Sequence, residues 1–138
     1  MHSQIFVNLP VTDLKRAVDF YTQLGYTFNP QFTNENATCM IVGENLFAML
    51  LVEKFFNTFT SKAIADARTS TTALISLSCS SRAQVDELVA KARAAGGRVS
   101  RPPDDHGFMY SHDYEDLDGH GWGLFYMTGA PPEHLNRP

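Results

Sequence analysis

The chain has 138 residues, 43% of them hydrophobic and 19% charged, with a formal net charge of -4. That length and apolar content fit a single globular domain with a real core and exclude a disordered chain, and an acidic balance without a basic stripe excludes a nucleic-acid partner. No apolar run approaches the ~20 residues of a membrane span, and Met1 to Val11 lacks the basic-then-apolar layout of a signal peptide, so no membrane partner and a cytoplasmic location are expected.

Residues 5–11 alternate, with Ile5, Val7, Leu9 and Val11 on one face and Phe6, Asn8 and Pro10 on the other, which predicts a half-buried strand. Thr12 or Asp13 can cap the helix that follows, whose stripe is Ala17, Phe20, Tyr21 and Leu24 and whose stop is Gly25. Strands are predicted at about 26–29, 37–42 and 46–52, separated by turn residues. The order then repeats. A strand over 74–79 leads through Ser80 or Ser81 into a helix with Val85, Leu88, Val89 and Ala92 on its stripe, ended by Gly96-Gly97. Strands at about 98–101, 108–115 and 121–127 complete the second half, the last two joined by Asp116-Leu117-Asp118-Gly119. The Pro-rich tail from Pro131 to Pro138 reads as loosely ordered.

Laying one half on the other pairs Val7 with Ile75, Leu9 with Leu77, Ala17 with Val85, Phe20 with Leu88 and Tyr21 with Val89. This predicts an internal duplication of a βαβββ module, about 4–53 and 73–128, with a linker over about 54–72. The linker carries Phe55, Phe56 and Phe59, either as a packed connector or as a pocket lid or interface.

Two stretches carry a family resemblance. Val11-Thr12-Asp13-Leu14 with Ala17-Val18-Asp19-Phe20-Tyr21 and Leu24-Gly25-Tyr26 resembles the opening of the glyoxalase/bleomycin-resistance/extradiol-dioxygenase proteins, the vicinal oxygen chelate superfamily. Asp116-Leu117-Asp118-Gly119-His120-Gly121-Trp122-Gly123-Leu124 resembles their closing hairpin, Asp-Pro-Asp-Gly-His-x-x-Glu-Leu. The resemblance implies an α+β fold: two tandem modules forming curved mixed sheets around a cavity, with helices outside, commonly as a homodimer.

Members that use a divalent metal hold it through His or Glu on the first and last strands of each module. By that resemblance the four positions here are Phe6, Ala48, Leu74 and Gly123. None carries an oxygen or nitrogen donor, so no metal and no other cofactor is expected at that place. His106 and His112, beside several carboxylates, are the alternative ligands for a rearranged Zn, Ni, Mn or Fe site. Cys39 and Cys79 lie far apart without a CxxC or Cys/His cluster and read as buried apolar thiols.

Strand parity assigns the expected cavity wall. Phe6, Asn8, Ala48, Leu74, Ser76, Gly123, Phe125 and Met127 are expected to line it, with Met109, Ser111 and Asp113 added on the reading that Tyr110, His112 and Tyr114 face the helix. Asp113 is the only internal candidate for a catalytic acid or base. A mostly apolar cavity with sparse polar groups points to a small-molecule binder. The alternatives are a metal-dependent lyase or dioxygenase with rearranged ligands, and a partner-binding subunit that uses the Phe55–Phe59 segment.

Overall fold

The alternation at the start of the chain corresponds to a parallel ladder. In the computed structural model, which describes residues 1–129, β1 (Ile5–Val11) pairs in parallel with β4 (Leu46–Val52). β3 (Ala37–Gly43) and β2 (Thr27–Asn29) extend this sheet antiparallel, in the order β1-β4-β3-β2. Parallel neighbours need a long crossover, and α1 (Leu14–Leu24) lies within it. Asp13, not Thr12, caps the helix: its carboxylate accepts the Arg16 N–H at 3.1 Å. Gly25 ends it with φ 103°, a left-handed conformation that a side chain resists.

Residues opposite one another in a ladder point to the same face of the sheet. Val7, Leu9 and Val11 therefore share a face with Ala48, Leu50 and Val52, and Phe6, Asn8 and Pro10 share the other with Phe47, Met49 and Leu51. The first face packs on α1, whose Ala17, Phe20, Tyr21 and Leu24 are buried together with Val11, Ala48 and Leu50. Burial of each large apolar side chain here stabilises the fold by about 1.5–3 kcal/mol. α2 (Glu53–Phe56), a single turn, follows β4 directly and packs on β1 and β4.

The chain divides between Ser70 and Thr71 into two compact units. In the second, β5 (Leu74–Ser78) runs parallel to β8 (Gly121–Met127), β7 (Met109–Glu115) lies antiparallel to β8, and β6 (Asp104–Asp105) forms the edge. α3 (Arg82–Ala94) provides the crossover, capped by the Ser81 hydroxyl accepting the Gln84 N–H. Val85, Val89 and Ala92 are buried, as are Tyr114, Trp122 and Leu124 on the strands that α3 contacts. The closing turn is built around Asp116, whose carboxylate accepts the N–H groups of Asp118 and His120, each at 2.9 Å, with Gly119 at φ 88°. The fold is α+β, with two four-stranded mixed sheets.

Three local expectations need correction. The strand expected at 98–101 is reduced to one bridge, Arg98 with Glu115, and pairing resumes only at Asp104–Asp105. Pro102 and Pro103 intervene, and a residue without an N–H cannot continue a ladder. Leu88 is only half-buried on α3. Cys39 is buried as expected, but Cys79 is half-buried; desolvation raises the pKa of both thiols. Among the described residues no helix is long and apolar enough to cross a membrane. The tail from Pro131 lies outside the described residues.

Candidate functional site

The face of the first sheet opposite α1 is where Asn8 lies, and it carries a cavity of about 450 Å³. Its walls are Asn8 from β1, Met49 and Leu51 from β4, and Phe55, Phe56, Phe59 and Thr60 from α2 and the residues after it. Each element has a local reason to be there. β4 alternates, so Met49 and Leu51 turn away from α1 while Ala48 and Leu50 turn toward it. The single turn of α2 then folds the phenylalanines back over the strands, and Thr58 closes that turn by bonding the Phe55 carbonyl at 2.7 Å. Phe55 and Phe59 meet edge-to-face with ring centroids 5.1 Å apart, the arrangement aromatic quadrupoles prefer.

Ala48 was expected on the cavity face, and it is not there. It is 1% exposed beneath α1. The two ladders explain the difference: Ser76 lies opposite Gly123 in the second unit, and its counterpart Asn8 lies opposite Met49 in the first. The position equivalent to Gly123 is therefore Met49, one residue further on, and a one-residue slip reverses every face. Of the residues expected from parity in this unit, Asn8 lines the cavity, while Phe6 stands on the same sheet face, 46% exposed and stacked on Phe47 at 4.7 Å. Sequence reasoning assigned no pocket role to Met49, Leu51 or Thr60. The triplet Phe55, Phe56 and Phe59 was the available signal.

In the second unit, the face opposite α3 collects Leu74, Ser76, Gly123, Phe125, Met127, Met109, Ser111 and Asp113, because these residues pair across β5, β8 and β7. Asp113 is the polar centre of this face. One carboxylate oxygen accepts from the Arg101 guanidinium at 2.7 Å. The other lies beside Gly123, where an added Cβ would sit 3.2 Å from it and 3.2 Å from the Ser76 hydroxyl. Arg101 gains basicity, first from the hydrogen bond to Asp113 and then from its charge. His112 points to the opposite face and bonds the Arg101 carbonyl through Nε2 at 2.7 Å. A carbonyl only accepts, so Nε2 carries the proton and is closed to a metal. The His106 ring lies near Phe108, with centroids 6.3 Å apart. Among the described residues no three His, Cys, Asp or Glu side chains converge as a metal would require.

Residues 4–43 match the family described as bleomycin resistance protein-like N-terminal. No curated protein matches the chain. Solved structures resemble it over nearly its whole length. A hypothetical protein from S. aureus superposes with a TM-score of 0.78 at 27% identity, covering 91% of this chain and 94% of that one. A glyoxalase-related enzyme from Fulvimarina pelagi gives 0.76 at 20% identity, covering 91% and 88%. A fosfomycin resistance protein from Listeria monocytogenes gives 0.67 at 18% identity, covering 100% and 99%. The chain thus has the fold of these glyoxalase-related and fosfomycin resistance structures.

The metal that many vicinal oxygen chelate proteins use can be tested against the residues present. With the register corrected, the four positions to which the resemblance assigns donors are Phe6, Met49, Leu74 and Gly123. Two are hydrocarbon side chains, one is a thioether and one has no side chain. Divalent ions of the hard or borderline class take oxygen, nitrogen or thiolate ligands, so this set does not fit.

Proposed function

We propose that this chain is a vicinal oxygen chelate protein that binds a small apolar molecule in the cavity of its first unit, without the metal site of that superfamily's metal-dependent members. The observation that carries the reading is the cavity wall itself: Met49, Leu51, Phe55, Phe56 and Phe59 around about 450 Å³, with Asn8 and Thr60 as the polar members. A volume of that size falls in the range of small-ligand sites, where apolar walls supply burial and a few polar groups supply orientation. A ligand that removes roughly 200 Å² of apolar surface from water gains about 5 kcal/mol before the cost of its own immobilisation. The names of two likenesses agree with a small-molecule role, since bleomycin and fosfomycin are both small molecules.

The rival reading, a metal-dependent lyase or dioxygenase with rearranged ligands, draws no support from the donors available to it. His112 donates Nε2–H to the Arg101 carbonyl, which leaves only Nδ1 for a metal, and Asp113 is ion-paired to Arg101. We accordingly assign no catalytic step to Asp113.

The test is a thermal-shift screen of small aromatic and alicyclic compounds on the wild type and on Met49→Trp, which fills the cavity from its floor. A ligand at about 100 times its Kd should stabilise the wild type by roughly 2.7 kcal/mol and raise Tm by several degrees. The shift should vanish in Met49→Trp. A shift that survives that substitution, or the absence of any shift across the panel, would refute the assignment.

A further inference from the structure

The polar inventory of the cavity narrows the ligand further than its apolar walls do. Resting on the binding role proposed above, we infer that the occupant is a neutral ring compound bearing one amide-like or carbonyl group, and that Asn8 is the residue that selects it.

The wall contains no charged side chain. An ion placed there would lose its hydration without gaining a counter-charge, which is costly in any apolar pocket. Phenylalanine faces attract cations only weakly, and Phe55 and Phe59 already hold each other edge-to-face at 5.1 Å. Neutrality follows from the residue types present.

The second part follows from hydrogen-bond capacity. Asn8 stands on the open face of β1, opposite Met49, and among the described residues no group engages its carboxamide. A carboxamide offers two donors and an acceptor at one site. Thr60 is in a different state: its hydroxyl oxygen accepts the Lys62 N–H at 3.1 Å, which leaves its hydrogen to donate. A ligand carbonyl therefore meets a donor on either side, and a ligand N–H finds its acceptor in the Asn8 carbonyl. A primary or secondary amide, or a lactam, satisfies both halves of Asn8 at once. A carboxylate offers no donor and carries charge, and an ammonium offers no acceptor.

Three isosteric probes separate these cases: 1-naphthamide, 1-naphthoate and 1-naphthylmethylammonium, titrated calorimetrically into the full-length protein, with naphthalene as the apolar reference. Naphthamide should bind at least about tenfold more tightly than either ion, because only it enters without stripping a charge of water. Asn8→Leu, a substitution at an exposed strand position, should reduce naphthamide affinity relative to that of naphthalene by about fivefold or more. Phe59→Ala, at a residue 70% exposed, should weaken every probe by opening the wall. If an ion binds as tightly as naphthamide, and Phe59→Ala weakens both, the neutral-ligand inference falls while the cavity assignment stands. If Asn8→Leu leaves naphthamide affinity relative to that of naphthalene intact, the selecting role of Asn8 falls. If no probe binds, or Phe59→Ala changes none of them, the cavity assignment falls as well.

Discussion

Asp105 shows how far a partly exposed residue can be tuned by its neighbours. Its carboxylate takes a forked pair of hydrogen bonds from Arg82, at 2.7 and 3.1 Å, and a third from the Gly107 N–H at 2.9 Å. Arg82 first, then the Gly107 amide, lower its pKa from 3.8 to about 2. A carboxylate whose pKa falls on folding contributes stability above its unfolded pKa and loses it as pH drops through the folded value. The contribution is thus complete above about pH 4 and fades toward pH 2. An NMR titration of the Asp105 carboxyl should report a midpoint near 2, and Arg82→Ala should return it toward the ordinary aspartate range. An unchanged midpoint in that variant would mean that Arg82 does not hold this group. The bond matters locally because β6 has only two residues, and this bridge ties it to the first turn of α3.

At the scale of elements, the caps make the sharpest forecasts. Asp13→Ala removes the acceptor for the Arg16 N–H and should cost about 1 kcal/mol. Gly25→Ala meets no atom within 4 Å, so its entire cost is the left-handed backbone, about 1–2 kcal/mol. Urea denaturation of each variant measures both, and a cost near zero for Asp13→Ala would reassign the cap to Thr12. These same elements show what the sequence made legible. β1 and β4 were visible residue for residue because each is a mainly apolar run flanked by turn residues. The helix stripes were visible because Ala17, Phe20, Tyr21 and Leu24 obey a single period. β6 was not, because Arg98 to Arg101 looks extended while the two prolines after it decide where pairing can resume. Ala48 was misplaced for a different reason: it and its neighbours on β4 are all apolar, so composition cannot say which set faces the helix. Only the ladder with β1 settles that. On β7 the alternation of two tyrosines with polar residues indicated which sheet face carries Asp113, and the ladder with β8 puts it on the face of Gly123.

For the whole molecule, the proposed loss of the metal site has a direct consequence. Protein stripped with a chelator and protein supplied with Zn, Ni, Mn or Fe should melt at the same temperature, since an ion that binds only the folded state must raise Tm by mass action. A rise of several degrees with one metal, abolished by His112→Ala or His106→Ala, would instead establish a site built from those side chains.

In each sheet the first strand made is hydrogen-bonded to the last: β1 to β4, and β5 to β8. On the ribosome, therefore, β5 emerges and waits while α3, β6 and β7 are synthesised, because its only ladder partner among the described residues begins at Gly121. During that interval Leu74 to Ser78 offers bare amides and carbonyls to any passing strand. A nascent chain stalled before Gly121 would carry an unfinished sheet, so translation of β8 is the event that covers the open edge of β5.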